Sequence, residues 1–369
     1  MDIGIPKEIS IEEKRISLTP QGVYTLVNEG HRVYIEKDAG KDGHFYNEDF
    51  QKVGGEIVYT HEEAFKRADL ILKVMPPTCE ECKLMSSGQT IFSFLQLALR
   101  NPECMNILVE NGVTTIATEL IETDMGHKPL LETMGEIAGS MLPQIAGQYL
   151  ECTHGGRGIT ISGVPGIPPA SIVIIGVGNI GIRAAEAFLG LGAQVFGLDR
   201  DIQRLCEVDR YFRKRLVTSV ANPYNIERAL QFGDVIIGSV YEYGKKPPML
   251  ATKEQLKLMK QGALLMDISI DQGGCFETSR PTTHSDPTYT KDGIIHYCVP
   301  NIPASVARIA SRALNNVVLP YALEIGKTNI LDIMKSDKAL SRGLITYEGF
   351  CTNNEIANMF KLPYKKLES

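Results

Sequence analysis

Several features that mark other classes of protein are missing from this sequence. There is no basic tract of the kind that binds nucleic acid and no long tail of one charge sign, since the 38 basic and 44 acidic residues are interspersed. No apolar run reaches the roughly 18 residues that a membrane-spanning helix needs. The start of the chain, MDIGIPKEIS, lacks the charged end and long apolar segment of a signal peptide. We therefore expect a cytoplasmic protein with no nucleic-acid partner and no membrane association.

A complete zinc-ligand pattern is also missing. The eight cysteines are scattered, and only Cys79 and Cys82 have the spacing of metal ligands. No second CxxC and no nearby pair of histidines completes a tetrahedral site, so no metal is predicted. In the absence of an export signal we expect reduced thiols, with Cys79 and Cys82 an incidental pair on a loop. Metal or redox use of this pair remains the alternative.

What the sequence does contain is most informative at residues 171–199, SIVIIGVGNIGIRAAEAFLGLGAQVFGLD. An apolar strand leads into a glycine-rich turn and an amphipathic helix, and a second apolar strand ends at an acid. Gly176 permits the tight turn, Gly178 lets the backbone approach a pyrophosphate, and Gly181 allows close packing of the helix on the sheet. The helix N-terminus offers unpaired N–H groups to the anion. The stretch predicts a dinucleotide site, with a structural βαβ turn as the alternative.

The acid at the end of the second strand bears on the choice of cofactor. A carboxylate at Asp199 would accept hydrogen bonds from a ribose and repel the 2′-phosphate of NADP, which favours NAD. Arg200 and Arg204 could weaken that repulsion, but we interpret them as exposed charges at the start of the next helix.

Strands and helices alternate along the rest of the chain. Strands are predicted near residues 3–6, 31–36, 69–74, 89–97 and 114–120, and again at 216–220, 235–240, 264–268 and 293–298, with a long helix at about 131–151. This alternation predicts an α/β fold of two Rossmann-like domains with parallel sheets. Residues 1–134 plus 306–369 would form a substrate domain, and residues 135–305 an NAD-binding domain. The last 40 residues, including 330–340 and 354–360, are predicted to form helices that dock on the first domain.

Longer stretches resemble one family. IGIPKEISIEEKRISLTPQGV, ADLILKVMPP, GGRGITISGVPGIPPASIVIIGVGNIG and above all DISIDQGGCFETSRPTTHSDPTY with HYCVPNIPASV are similar to alanine dehydrogenase and, more distantly, to the nucleotide-binding subunit of transhydrogenase. The resemblance implies an active site in the cleft between two domains and a homohexamer. It also implies NAD-dependent oxidation of a small amino acid to a 2-oxo acid and ammonia, and the reverse reaction.

The resemblance also implies roles for particular residues. Arg15 and Lys73 match substrate-binding positions: a planar guanidinium suits a carboxylate, and a compact ammonium polarises a carbonyl. Asp271 matches a catalytic aspartate at the nicotinamide end, and Asn301 another substrate position. On the residues alone, a surface arginine and a snorkelling strand-end lysine would be the preferred interpretations, and the matching context reverses that preference. The cofactor-binding positions, from the glycine motif and the resemblance together, are Gly176, Gly178, Asn179, Ile180, Gly181, Asp199, Ser239, Val240, Ile268, Asp271, Val299 and Asn301.

The chain departs from the family at several of these positions. Gln96 stands where alanine-oxidising members have a histidine, and an amide hydrogen-bonds but does not exchange a proton near neutral pH. Phe94 replaces a frequent tyrosine, Gly135 a serine and Ser140 an arginine. Residues 241–244, YEYG, replace a smaller apolar segment. Among the histidines, all interpreted as surface or structural, His284 lies within the matched PTTHSDPTY stretch.

These observations predict an NAD-dependent amino acid dehydrogenase, with L-alanine and pyruvate as the default pair and Lys73, Asp271 and Gln96 at the reacting centre. One alternative is a related oxidoreductase acting on another amino or imino acid. The other is a nucleotide-binding subunit without turnover.

Overall fold

The computed structural model describes residues 1–10, 12–97, 100–241 and 246–367. Two compact units are present: the first comprises Met1–Met134 and Ala304–Ser369, and the second Gly135–Pro303.

Strands and helices follow one another along both units. The strands are β1 (Asp2–Ile5), β2 (Arg32–Glu36), β3 (Glu56–Val58), β4 (Leu70–Leu72), β5 (Thr90–Ser93), β6 (Thr114–Ala117), β7 (Ser171–Ile175), β8 (Gln194–Asp199), β9 (Val217–Val220), β10 (Val235–Gly238), β11 (Leu264–Asp267), β12 (Thr288–Lys291), β13 (Ile294–Tyr297), β14 (Leu344–Tyr347) and β15 (Phe350–Cys351). The helices are α1 (Pro20–Asn28), α2 (Asn47–Lys52), α3 (His61–Lys66), α4 (Cys79–Leu84), α5 (Pro102–Glu110), α6 (Pro129–Tyr149), α7 (Asn179–Gly190), α8 (Ile202–Tyr211), α9 (Pro223–Phe232), α10 (Lys253–Leu256), α11 (Ala307–Lys327), α12 (Ile330–Ser336), α13 (Lys338–Gly343) and α14 (Asn354–Phe360).

The sheet of the first unit has the order β15-β14-β6-β5-β4-β1-β2-β3. Its strands β1 to β6 are parallel, and their order is that of a doubly wound Rossmann-like sheet. Apolar side chains cover both faces: Leu70 and Leu72 of β4 pack in one cluster with α1 and α11, and Ile71 packs in another with α5 and α14. Burial on both faces explains why β4 is an uninterrupted apolar run.

Because these strands are parallel, their carboxyl ends meet at one edge of the sheet. The residues that follow β1, β2, β4 and β5 therefore lie near one another although they are far apart in sequence. Glu8, Glu36, Lys73 and Gln96 stand at or just beyond those strand ends. This is the edge at which open α/β sheets bind their ligands.

The sheet of the second unit has the order β12-β13-β11-β10-β7-β8-β9. Strands β7 to β11 and β13 are parallel and again have the Rossmann order. The β-branched residues of β7 alternate, with Ile172 and Ile174 buried in one cluster and Val173 and Ile175 in the other. The prediction of two Rossmann-like sheets is confirmed, except that each sheet has antiparallel strands at an edge: β14 and β15 in the first, β12 in the second.

The C-terminal prediction of helices alone was wrong in two respects. Residues 344–351 form the β14–β15 hairpin, whose short strands carry little periodicity. The helix predicted over residues 330–340 is two helices, because the Asp337 side chain accepts a hydrogen bond from the Leu340 backbone N–H and so starts α13.

Two expectations for the cysteines were also wrong, although the six cysteines other than Cys79 and Cys104 are free thiols, as expected. Cys79 and Cys82 lie on helix α4, which begins with a capping box between Thr78 and Glu81, and not on a loop. Cys79 forms a disulfide with Cys104 of α5, with Cα atoms 4.6 Å apart. The 25-residue separation conceals this pairing, since it arises only because α4 and α5 pack side by side. Among the described residues, no group of three or more His, Cys, Asp or Glu is arranged to hold a metal ion.

Within the described ranges, no helix is both long enough and apolar enough to cross a membrane.

Candidate functional site

The glycine-rich turn after β7 has the geometry that a dinucleotide requires. Gly176 has φ +97°, and a Cβ there would lie 2.5 Å from the Ser239 carbonyl oxygen. A Cβ on Gly181 would lie 2.2 Å from the Gly176 carbonyl oxygen, so helix α7 can approach β7 this closely only with glycine. At Gly178, by contrast, an added Cβ meets no atom of the described residues within 4 Å. The backbone at Gly178 therefore faces open space at the N-terminus of α7, where a pyrophosphate would bind.

Asp199 ends β8 beside this turn. Its carboxylate accepts hydrogen bonds from the backbone N–H groups of Val177 and Asp201, both at 3.0 Å. The side chain is half-buried, so its remaining lone pairs can accept from a ribose hydroxyl. Arg200 is exposed, and Arg204 pairs with Glu207 on the same helix. The interpretation of these arginines as helix-start surface charges agrees with those contacts.

Ser239 and Val240 lie where the strand order reverses, between β7 and β10. The Ser239 hydroxyl donates to the Gly176 carbonyl at 2.7 Å. Val240 is held through the Ser269 hydroxyl, which accepts from the Val240 N–H at 3.1 Å and donates to its carbonyl at 2.7 Å. The crevice at such a topological switch point is the usual ligand site of a doubly wound sheet.

The residues after β11 and β13 complete this side of the second unit. Ile268 is partly buried, and Asp271 is exposed in a short 3₁₀ turn, Ile270–Gln272. Asp267, by contrast, has a structural role: it is fully buried and accepts hydrogen bonds from the backbone N–H groups of Ser269, Cys275 and Phe276.

Asn301 follows β13 at φ +56°, a left-handed conformation that asparagine tolerates better than most residues. Its carbonyl oxygen accepts from His284 Nε2 at 3.2 Å. Val299, two residues earlier, is buried. His284, which no motif placed at the site, thus supports the turn that presents Asn301.

Gly135 has a structural reason to lack a side chain. A Cβ at this position would lie 2.8 Å from Asn179 Nδ2 and 3.1 Å from Ile180 Cγ1 at the start of α7. The hydroxyl that the family carries here would therefore require Asn179 to move. The Ser140 hydroxyl donates to the Ile137 carbonyl of its own helix at 2.8 Å. Of the YEYG segment, Tyr241 is described and exposed, while residues 242–244 lie outside the described ranges.

In the first unit, Lys73 is the central cation. It follows β4, and its side chain is 1% exposed, which rules out the snorkelling alternative. The ammonium Nζ lies 2.7 Å from Glu8 Oε2 and 3.0 Å from Glu81 Oε1. Although burial alone would lower it, these two carboxylates raise the pKa of Lys73. Lys73 is therefore a fixed positive charge and hydrogen-bond donor, not a base.

The carboxylates around Lys73 are themselves held. Glu8 Oε1 accepts from the Val74 backbone N–H at 2.7 Å. Burial raises the pKa of Glu8 despite the nearby Lys73 charge. Burial would also raise the pKa of Glu81, but the hydrogen bond from His61 and the charge of Lys73 lower it to about 2.

Arg15 is also buried, with 4% exposure, so the surface alternative is wrong. Its Nε and one terminal nitrogen donate to the two carboxylate oxygens of Glu13, each at 2.7 Å. The other terminal nitrogen lies 3.2 Å from Met134 Sδ. Glu13 thus fixes the plane of the guanidinium through two charge-assisted hydrogen bonds.

A cavity of about 290 Å³ opens beside Lys73 within the first unit. Its lining includes Glu8, Lys73, Glu81, Gln96 and Arg100. The cations that line this cavity are Lys73 and Arg100, whereas Arg15 is not among its lining residues. Its volume is sufficient for a small amino acid or 2-oxo acid.

The turn that carries Gln96 is held by a buried acid. Gln96 is exposed at φ +50°, and its backbone N–H donates to Glu119 Oε1 at 2.8 Å. The Leu95 N–H donates to the same carboxylate. Burial raises the pKa of Glu119. Phe94 is partly buried beside the turn, and the family pattern continues at Ala98, which lies outside the described residues.

Sequence reasoning missed the partners of the two cations: Glu8 and Glu81 beside Lys73, and Glu13 beside Arg15. One signal was available, since a cation predicted to be at a strand end inside an apolar segment requires a buried acid. Which acid supplies it depends on strand order, which the sequence leaves open.

Comparisons with known proteins agree with this arrangement. A family model described as "Alanine dehydrogenase/PNT, N-terminal domain" matches residues 4–138, and one described as "Alanine dehydrogenase/PNT, C-terminal domain" matches residues 143–354. An alanine dehydrogenase of Staphylococcus haemolyticus is 42% identical over 369 residues, covering 100% of this chain and 98% of that protein.

Solved structures give the same result. A structure titled L-alanine dehydrogenase superposes with a TM-score of 0.93 at 37% identity, covering 98% of this chain and 99% of that chain. A transhydrogenase from Sinorhizobium meliloti has a TM-score of 0.82 at 20% identity, covering 96% of this chain and 100% of that chain, and shares the fold. With both family models and a full-length relative at this identity, the chain belongs to the alanine dehydrogenase/PNT family.

Proposed function

We propose that this protein catalyses the NAD-dependent oxidative deamination of a small L-amino acid, with L-alanine as the default substrate, and the reverse reductive amination. L-Alanine, NAD⁺ and water give pyruvate, ammonium, NADH and a proton. The observation that carries the proposal is the pair of buried, pre-oriented cations, Arg15 and Lys73, in a chain that is 42% identical to an alanine dehydrogenase over its full length.

The first unit supplies the contacts to the substrate in this proposal. The Arg15 guanidinium, held in plane by Glu13, receives the substrate carboxylate. Two carboxylates occupy Lys73, which leaves one ammonium N–H for the substrate carbonyl or imine. Since that carbonyl gains negative charge when the 2-oxo acid reacts, a fixed ammonium stabilises the transition state more than the ground state.

The second unit is the proposed NAD site. The turn at Gly176, the open backbone at Gly178 and the N-terminus of α7 would hold the pyrophosphate, with Asn179, Ile180 and Gly181 beside it. Asp199 would hold the adenosine ribose, and Ser239, Val240 and Ile268 would line the crevice. Asp271, Val299 and Asn301 would face the nicotinamide end, with Asn301 also touching substrate. Bound NAD supplies hydride transfer, and the protein supplies orientation and charge.

Gln96 is the residue that favours the second candidate, a related oxidoreductase acting on a different amino or imino acid. Its amide hydrogen-bonds a carbonyl or imine but does not shuttle a proton. The third candidate is a nucleotide-binding subunit without turnover. Such a subunit would not need the buried, pre-oriented cations Arg15 and Lys73, so their presence argues against it.

One panel of assays separates the three candidates. NAD⁺ reduction is followed at 340 nm with L-alanine and other small L-amino acids, and NADH oxidation with 2-oxo acids plus ammonium. Turnover on alanine supports the proposal, and turnover only on other substrates supports the second candidate. NADH binding without any turnover supports the third.

Assembly and location complete the proposal. We propose a cytoplasmic homo-oligomer, with six subunits as the family resemblance implies. Light scattering coupled to size-exclusion chromatography measures the subunit number, and a monomeric mass contradicts it.

A further inference from the structure

His61 belongs to a closed ring of hydrogen bonds around Lys73. His61 Nε2 lies 3.0 Å from Glu81 Oε1, the same oxygen that contacts Lys73. His61 Nδ1 lies 2.7 Å from Glu36 Oε2. Glu36 Oε2 also accepts from the Lys7 backbone N–H at 2.8 Å, and Lys7 precedes Glu8, which contacts Lys73.

Five separate elements contribute to this ring: the segment after β1, the end of β2, the first turn of α3, the end of β4, and α4. Each contact joins two of these elements. The two carboxylates beside Lys73, those of Glu8 and Glu81, are therefore held in place by the same set of contacts. Glu81 Oε2 also accepts from the Thr78 N–H at 2.6 Å, which leaves this carboxylate little freedom. His61 is the member that joins Glu81 to Glu36.

Both ring nitrogens of His61 face carboxylate oxygens, so both must donate. That requires the protonated imidazolium, since a neutral ring has one donor only. Although burial would lower it, the hydrogen bonds to Glu36 and Glu81 raise the pKa of His61 to about 9. The side chain is 26% exposed, so it can exchange protons with solvent.

Among the described residues, two carboxylates hydrogen-bond to His61: Glu36 at the end of β2 and Glu81 on α4. Lys73, which follows β4, contacts Glu81, and Glu8 lies beyond Lys73. From its own helix, Phe65 contributes only an aromatic ring at 5.0 Å between centroids. With His61 protonated, three carboxylates face two cations. Without that proton, three carboxylates face Lys73 alone.

We propose that His61 is a positioning residue for the reaction: as an imidazolium it holds Glu81 midway between itself and Lys73, and so keeps the Lys73 ammonium aimed at an anionic substrate. Without the imidazolium the site carries one positive charge fewer, and among the described residues Lys73 is the only cation left in contact with Glu81 Oε1, so an anionic 2-oxo acid binds more weakly. The inference rests on the proposed function only in taking the substrate to be such an anion.

The test uses the full-length protein with saturating NADH and oxamate, a non-reacting analogue of pyruvate, so that the titration of ammonia does not enter. Oxamate binding is measured by NADH fluorescence from pH 6 to 10. In the wild type the affinity should fall above about pH 9, where His61 loses its proton. In His61→Gln the affinity for oxamate at pH 7 should be about tenfold lower than in the wild type, as for the loss of one charge-assisted hydrogen bond. The affinity of this variant should not change between pH 7 and pH 9.

Two further variants separate positioning from folding. His61→Arg keeps a cation between the carboxylates and should restore affinity and remove the fall near pH 9, because arginine does not titrate there. His127→Gln, the same exchange at an exposed histidine of the same unit, should behave as wild type. Wild-type affinity and wild-type pH dependence in His61→Gln would overturn the proposal, as would failure of His61→Arg to restore affinity.

A second measurement does not depend on the substrate. Hydrogen–deuterium exchange at the histidine C2–H, followed by mass spectrometry, gives the pKa of His61 in the whole protein. A pKa near 9 that falls in Glu81→Gln supports the ring, and a pKa below 7 overturns it. If the wild type binds no oxamate but the pKa of His61 is near 9, the result contradicts the proposed substrate and supports the hydrogen-bond ring around His61.

Discussion

Replacing Lys73 with methionine should destabilise the protein in a pH-dependent way. The exchange keeps most of the side-chain volume but leaves Glu8 and Glu81, with side chains 5% and 1% exposed, without their shared cation. Removing one partner of a buried ion pair costs about 3–5 kcal/mol when the remaining charge stays ionised. We therefore expect a loss of about that size in the free energy of unfolding at pH 8.

At lower pH the loss should shrink. Burial already raises the pKa of Glu8, and without Lys73 only the hydrogen bond from the Val74 backbone N–H still opposes that shift among the causes identified. A carboxyl whose folded-state pKa lies above its unfolded value of about 4.3 contributes stability at low pH and loses it as the pH rises through the folded pKa. The penalty should thus be small near pH 5 and largest near pH 8, while His61, with a pKa of about 9, stays charged throughout.

Urea denaturation of wild type and Lys73→Met at pH 5 and pH 8 measures this difference. The double variant Lys73→Met/Glu8→Gln should recover part of the loss at pH 8, because the amide needs no counter-charge. Turnover should be abolished in both variants, with NADH binding nearly unchanged. An equal loss at both pH values, or one below about 1 kcal/mol, would refute the picture of Lys73 as the counter-ion of two buried carboxylates.

Three further substitutions test the proposed cofactor site, the disulfide and the role of Gln96. Asp199→Asn should raise the NADPH/NADH ratio of kcat/KM about tenfold by removing the charge that repels a 2′-phosphate, and an unchanged ratio contradicts that role. Cys104→Ser should lower the free energy of unfolding by about 3 kcal/mol without reductant, as expected for the 25-residue separation, and the difference from wild type should vanish in dithiothreitol. Gln96→His should raise turnover on L-alanine if the amide is a specialisation, since histidine tolerates the φ of +50° at this position; unchanged kcat on all substrates contradicts it.

The sequence allowed a detailed prediction of the glycine-rich turn, because the residues that form it are neighbours along the chain. The turn around Gly176, Gly178 and Gly181 is encoded within a few residues, and each glycine has the close contact or open face expected of it. The parallel strands of both sheets other than β3 were predicted from their apolar runs, whereas β3 and the antiparallel strands β12, β14 and β15 were not. Short elements such as α2 and β3 were missed, since 3 to 6 residues carry too little periodicity.

The surroundings of Lys73 could not be predicted, because they depend on strand order. Glu8, Glu36 and Glu81 are 65, 37 and 8 residues from Lys73 along the chain, and nothing local links them. They meet because β1, β2 and β4 end at one edge and α4 packs there. The disulfide was hidden for the same reason: helix packing, not spacing, brings Cys79 to Cys104.

The capping box of α4 has a consequence for how this protein can evolve. One oxygen of Glu81 accepts from the Thr78 N–H at the start of α4, and the other contacts Lys73. Selection for stability and selection for activity therefore both act on this one residue. Glutamine would preserve the helix start and lose the charge, and aspartate would keep the charge with a shorter reach. We therefore expect fewer tolerated substitutions at position 81 than at most buried positions. In a library of random variants, substitutions of Glu81 should be depleted both by a stability screen and by an activity screen.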